Sequence, residues 1–195
     1  MSQLSFFSAE SMPPSPLDVE GLLAGPAQIA RRGSEARLSV VVSDEPWRVV
    51  ALLTGLRDRG LEPETVPSDG AGTIVVRTAF SRALHPLADR WAVGAVKRPP
   101  VGFVLDGSRL RWWCLSAGSG GPLGYTLVLG KGDQSAWPAL GAALSAVGVP
   151  AALVRPRGAG PVYRVVGRRR LARLRELVGE PPDGAPGNAW PMAGS

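Results

Sequence analysis

Few side chains in this sequence could do covalent chemistry, and they stand apart from one another. His85 is the single histidine and Cys114 the single cysteine. A general base or nucleophile needs a partner within hydrogen-bond reach. His85 precedes Pro86 inside a predicted helix, with no Ser-centred nucleophile elbow to pair with, and reads as a surface or packing residue. Cys114 lies between Trp113 and Leu115 in an apolar helix, where a buried, inert thiol is expected. One cysteine also excludes an internal disulfide and a thiolate metal site. The glycine-rich stretches "GSGGPLG" (118–124) and "GKGDQS" (130–135) match no phosphate-binding loop in spacing or in a following helix, and read as turns. No catalytic residue, metal ligand set or cofactor site is predicted.

What remains is binding. The 195 residues carry a net charge of +6, unevenly placed. Residues 97–180 hold 13 lysines and arginines against 4 acids, while residues 1–96 hold 9 arginines against 11 acids. A basic half of this kind points to a polyanion partner. The alternative is an arginine-rich solvated surface produced by a GC-rich coding bias, which the 25 glycines and 19 prolines also suggest. Hydrophobic content of 45 % with 19 % charged residues is that of a globular chain. No apolar run approaches the roughly 20 residues of a membrane span, and the leader lacks a signal peptide's basic and apolar regions. The chain reads as cytosolic.

The elements that must position a binding surface come in two copies. "RGLEPETVPSDGAGTIVVRT" (59–78) and "VGVPAALVRPRGAGPVYRVV" (147–166) superimpose without a gap at a spacing of 88. Before each copy lies a predicted amphipathic helix: Trp47 to Arg59 with Val50, Leu53 and Leu56, and a second with Trp137, Leu140, Leu144 and Val147. Each stops at a glycine, Gly60 or Gly148, as a left-handed cap requires. Strand-like runs precede them, "ARLSVVVS" (36–43) and "YTLVLG" (125–130). After each copy comes another helix, marked by Phe80, Leu84, Leu87 and Trp91, or by Leu171, Leu174 and Leu177. Further upstream, 17–33 and 105–121 read as helices ending in the small clusters Leu23-Ala24-Gly25 and Ser116-Ala117-Gly118.

That doubled order, with small residues late in the first helix, resembles the LAGLIDADG homing-endonuclease fold. It looks most like the degenerate version in the WhiA family of bacterial sporulation regulators. The resemblance implies an α+β architecture of two pseudo-twofold-related αββαββα units whose sheets form a saddle for DNA. It spans 17–95 as the first unit and 105–180 as the second, joined by a linker at 96–104. Residues 1–16 are expected to be an extended tail and 181–195 a disordered one. In nucleases of this fold an acid follows each small cluster, and the two acids hold divalent metal. Here those stretches are Pro26-Ala27-Gln28 and Ser119-Gly120-Gly121, without a carboxylate. The resemblance therefore implies a monomeric, non-cleaving protein that binds duplex DNA, possessing no metal or cofactor and associated with the nucleoid.

Strand alternation turns Leu38, Val40, Val42, Ile74 and Val76 inward, and Arg37, Ser39, Val41, Thr73, Val75 and Arg77 outward. For 162–166 the inward side stays open between Val162, Arg164 and Val166 and the pair Tyr163 and Val165. Hairpin tips are flanked by Arg31 and Arg32 and by Arg155 and Arg157. The expected DNA contacts are thus Arg31, Arg32, Arg37, Arg77, Arg155, Arg157 and Arg164. Five more arginines surround the last helix, "GRRRLARLRELVG". The other reading is a protein-interaction module whose basic half is incidental.

One short stretch lies outside both units. Gln3-Leu4-Ser5-Phe6-Phe7 resembles the peptide by which bacterial replication and repair proteins hold the DNA polymerase sliding clamp, with Phe6 where the pattern prefers Leu. Pro13, Pro14 and Pro16 follow and favour an extended tail. The resemblance implies a sliding-clamp partner. The alternative is that Phe6 and Phe7 fold back over an apolar patch.

Overall fold

A capping box starts the fold. Ser15 Oγ accepts from the Leu17 amide, and the Asp18 carboxylate accepts from the Ser15 amide at 2.9 Å. This launches a 3-10 turn (Pro16–Val19) that runs into α1 (Glu20–Ala24). The computed structural model describes residues 14–94, 96–157 and 160–192. Gln3 to Phe7 lie outside the described residues.

α1 ends at Ala24, in the small cluster where the helix is expected to stop. Gly25 is extended, and Pro26 can neither donate to the helix nor let its predecessor stay helical. The chain turns instead into β1 (Gln28–Arg32), which pairs antiparallel with β2 (Glu35–Ser43). Then follow α2 (Pro46–Arg57), β3 (Pro63–Pro67), β4 (Thr73–Thr78) and, after a 3-10 turn (Arg82–Leu84), α3 (His85–Trp91). A two-residue ribbon, β5 (Ala92–Val93) with β6 (Val96–Lys97), leads out of this half.

The second half repeats the order. α4 (Gly107–Ala117) is capped by Asp106, which accepts from the Arg109 amide at 2.9 Å. It likewise ends in its small cluster, where Gly118 turns the chain into β7 (Gly118–Gly121). β8 (Gly124–Val128), α5 (Trp137–Ala146), β9 (Ala152–Val154), β10 (Val162–Val165) and α6 (Arg168–Val178) complete it. The two four-stranded sheets have the same strand order, β1-β2-β4-β3 and β7-β8-β10-β9. Gly60 and Gly148 stop α2 and α5 with φ of 70° and 82°, as their spacing predicts.

One face of each sheet packs on the helices. Ala36, Leu38, Val40, Val42 and Val76 are buried there, as alternation predicts. In the second sheet the register pairs Tyr163 with Leu127 and Val165 with Tyr125, all buried, so Tyr163 and Val165 face inward and Arg164 outward. Two predicted positions differ. Val50 is 61 % exposed, its place on the inner face of α2 taken by Leu52. Phe80 precedes the helix it is expected to mark, and its ring meets the Arg32 and Arg37 guanidiniums on the outer side of the first sheet.

α1 and α4 cross at the centre. A Cβ on Gly21 would lie 1.8 Å from the Arg109 carbonyl oxygen, so only glycine permits this approach. Beside it the Glu20 carboxylate is completely buried. It accepts from Trp91 Nε1 at 2.7 Å and Arg109 Nε at 2.8 Å, and pairs with Arg90 at 3.2 Å. A buried carboxylate persists only with such partners.

Residues 181–192 are ordered against the body, contrary to the expected disordered tail. Trp190 is buried and its Nε1 donates to the Gly179 carbonyl at 2.9 Å. The Asn188 and Ala189 carbonyls accept from the Gly120 amide and the Tyr125 hydroxyl. One large aromatic is enough to dock the segment, since its burial contributes roughly 2–3 kcal/mol. The segment 96–104 is likewise held, with Lys97 buried and Phe103 packed edge-on against Trp91. No helix among the described residues is long and apolar enough to cross a membrane.

Gly21→Ala should destabilise the protein by about 1–3 kcal/mol in urea unfolding, outweighing the helix propensity alanine gains. Gly25→Ala should cost less, because its Cβ would first meet the edge of the Trp113 ring at 2.9 Å rather than backbone. Equal losses would show that backbone contact does not set the helix spacing.

Candidate nucleic-acid interface

The C-terminal ends of α1 and α4 lie side by side, with Gly25 against Trp113 and Ala117. Each end is closed by a buried cation. Lys97 Nζ donates to the Gly25 and Ala27 carbonyls, both at 2.7 Å, and pairs with Asp133 at 3.0 Å. Burial pulls the Lys97 ammonium below the usual lysine range, and the adjacent Asp133 opposes that shift. At the other end, the Arg48 guanidinium donates to the Leu115 and Gly118 carbonyls and pairs with Glu45 at 3.1 Å. Lys97 and Arg48 are 5 % and 4 % exposed. Cations here complement orphan carbonyls and the negative end of the helix dipole.

These residues do not fit a divalent metal. Hard cations want several carboxylate or carbonyl oxygens, yet the carbonyls are engaged by an ammonium and a guanidinium, and the two nearby acids are paired to the same cations. Pro26, Ala27, Gln28, Ser119, Gly120 and Gly121 offer no carboxylate. Among the described residues no three His, Cys, Asp or Glu side chains cluster as metal ligands. Cys114 is fully buried, and burial pushes its thiol up to about 12. His85 sits on α3, 3.3 Å from Asp89.

The outer faces of the two sheets form the surface on which DNA was expected. On the first, Arg32 and Arg37 both stack on Phe80, 4.1 and 4.7 Å from its ring centre. Arg32 also pairs with Glu35 at 3.1 Å, and Arg77 with Glu64 at 2.7 Å. Arg31 is not on this face. It pairs across from the buried Ala36, so its side chain turns to the helix layer, donating to the Ala88 carbonyl at 2.6 Å and pairing with Asp89. On the second sheet Arg164 is the only charged residue, and its Nε is buried without a hydrogen-bond partner. Around it are Ser119, Gly121, Thr126, Val128, Ala152, Val154 and Val162.

The remaining basic residues of the second half lie elsewhere. Arg155 stacks on Trp137 at 5.1 Å, on the helix side of the rim, and Arg157 is exposed at the β9–β10 turn. Gly158 and Ala159 lie outside the described residues. Lys131 reaches this turn, its Cε 3.4 Å from where a Cβ on Gly160 would be. Local sequence reading missed Lys131, although the 88-residue spacing could have found it: Ser43, Pro67 and Asp69 stand where Lys131, Arg155 and Arg157 recur. Arg48 and Lys97 had no local signal, because their partners lie far away in the chain.

Comparison with known protein families and with curated protein sequences returns no match. Solved structures do match. The homing endonuclease I-WcaI bound to its DNA recognition sequence superimposes with a TM-score of 0.62 at 12 % identity, over 88 % of this chain and 84 % of that one. The N-terminal LAGLIDADG domain of DUF199/WhiA gives 0.57 at 14 % identity, over 92 % and 97 %. Full-length DUF199/WhiA from Thermatoga maritima gives 0.58 at 15 % identity, over 88 % of this chain and 59 % of that one. At these identities the likeness speaks to architecture, and the chain has a LAGLIDADG-like fold.

Proposed function

We propose that this protein binds duplex DNA on its sheet faces and does not cut it. One observation carries the non-cleaving part: buried Lys97 and Arg48 occupy the ends of the paired helices, where a nuclease of this fold needs carboxylates and metal. The binding part is supported by the LAGLIDADG-like fold, one neighbour of which is a nuclease bound to its DNA. Arg37 and Arg164 are the outward cations with no acid beside them, and Arg32 and Arg77 can exchange Glu35 and Glu64 for phosphate. Arg157, with Lys131 and Arg155 nearby, extends the contact at the rim. Arg31, turned to the helix layer, contributes through the hairpin's shape.

The expected outcome of a duplex titration is binding that weakens steeply with salt, with log K falling about 0.9 per phosphate neutralised per decade. Changing Arg37 and Arg164 to Glu, or Arg155 and Arg157 to Glu, should weaken binding and flatten that slope by about 1 per lost contact. With magnesium or manganese the duplex should stay intact. Metal-dependent cleavage lost on changing a residue at 26–28 or 119–121 would refute the non-cleaving reading.

A second reading, a protein-interaction module, is favoured by the second sheet's outer face, which carries a single charge among small and apolar residues. Salt-insensitive or absent duplex binding would select it.

The N-terminal Gln3-Leu4-Ser5-Phe6-Phe7 further supports a role in replication or repair, with the tail held by the sliding clamp. Tethering there raises the local concentration of the body at DNA and lets two weak contacts add. A peptide of residues 1–10 should bind purified clamp, and changing Gln3, Leu4 and Phe7 to Ala should abolish it. No affinity in the intact peptide, or equal affinity in the triple variant, would end the clamp idea.

A further inference from the structure

Most of the second half's positive charge is not on the sheet faces. Arg168, Arg169, Arg170, Arg173 and Arg175 are all on α6, whose only acid is Glu176. Leu174, Leu177 and Val178 bury one side of this helix in the core. The arginines are left at its start and along the opposite side. Arg169, Arg170 and Arg173 line a groove of about 410 Å³ with Gly148 and Pro150, which belong to the turn between α5 and β9.

Arg173 is held in place there. Its Nε donates to the Val147 carbonyl at 3.2 Å and it pairs with Glu176 at 2.9 Å. Arg169 and Arg170 are exposed and have neither an ion-pair nor a hydrogen-bond partner among the described residues. That sets them apart from Arg31, Arg32, Arg48, Arg59, Arg77, Arg90 and Arg109, each of which meets an acid. The first turn of α6 holds three arginines and no acid, at the end of a helix where the dipole disfavours cations. The corresponding helix of the first half, α3, carries one arginine, one aspartate and one histidine. The patch is a property of the second half alone.

We infer that this face of α6 is a second nucleic-acid surface, taking the phosphate backbone of another duplex segment while the first lies on the sheet faces. The inference rests on the DNA-binding reading. α6 belongs to the helix layer, on the side of the second sheet opposite Arg164, so the two surfaces do not compete for one duplex. The cations are all arginine, whose planar fork grips two phosphate oxygens at once and is only weakly hydrated. The groove's polar side chains are all arginine, with no side-chain amide to read bases, so contact is with backbone rather than sequence. A protein with both surfaces bridges two duplexes.

The test uses the full chain, a biotinylated duplex on beads and a fluorescent duplex in solution. The wild type should co-capture the fluorescent duplex, and R169E/R170E should lose about tenfold of that capture. Its affinity for a single duplex at the sheet faces should stay within about twofold, with the salt slope of the bridging signal reduced by about 1.8 for two lost contacts. Sedimentation of the free proteins checks that both variants have the same oligomeric state and fold. Retention of one duplex with no capture of a second overturns the inference and leaves DNA binding standing. So does undiminished capture by R169E/R170E. Displacement by an acidic polypeptide as readily as by competitor DNA overturns it in favour of a protein partner. No retention of any duplex on the beads overturns both readings together.

Discussion

The approach of α1 to α4 at Gly21 leaves no room for a side chain between two backbones, and that restriction decides what can stand beside it. Glu20 is shut away from water because the helices are so close, and it is tolerable only because Arg109 comes from the other half while Trp91 and Arg90 come from α3. Removing Arg109 leaves Glu20 Oε2 without its partner in a place water cannot reach. Arg59, just past α2, pairs with Asp18 at 2.9 Å and lies over Trp112, tying the end of α2 to the turn before α1 and to α4. The centre is therefore a polar clasp within an apolar core, and the sheets hang from it on either side.

The same repeat carries unequal charge in its two halves. Strand order, capping glycines and inward faces agree between them. The first half's outward arginines mostly have acids beside them, whereas the second half's sheet face carries Arg164 alone and most of its other exposed basic residues lie at the rim and on α6. Selection for a fold acts on the inward residues, which must fill one core. Outward residues are free to diverge, and here they diverge in sign. Such a division lets one architecture present two chemically different surfaces.

Much of this was legible in the residues. The alternation in 36–43 predicts which side chains of β2 are buried, and the 88-residue spacing predicts the matching sheets. What was not legible has physical causes. β1 and β7 are not read as strands from sequence, because Gln-Ile-Ala-Arg-Arg and Gly-Ser-Gly-Gly carry no apolar alternation. They are edge strands, and their partners specify them. The orientation of Arg31 depends on hairpin register, where a slip of one residue exchanges the faces. The 181–192 segment has a disordered composition, yet a single tryptophan and a few main-chain hydrogen bonds hold it. Of the seven arginines expected at DNA, Arg37 and Arg164 face outward without an acid, Arg32 and Arg77 face outward with one, and Arg157 is exposed at the rim. Arg31 and Arg155 lie on the helix side. Lys97 and Arg48 are long-range contacts, invisible to any local reading.

Those two cations have a consequence for how the chain comes off the ribosome. The carbonyls that end α1 stay bare until Lys97 has been made, and Lys97 gains its counter-ion only when Asp133 follows. Arg48 waits in turn for Leu115 and Gly118. A nascent chain that has exposed only its first sheet thus holds buried-type polar groups without partners. The first half cannot settle into its final form as an independent unit, and translation must pass well into the second before either is complete. The two halves are not modules that could be parted; each half finishes the other.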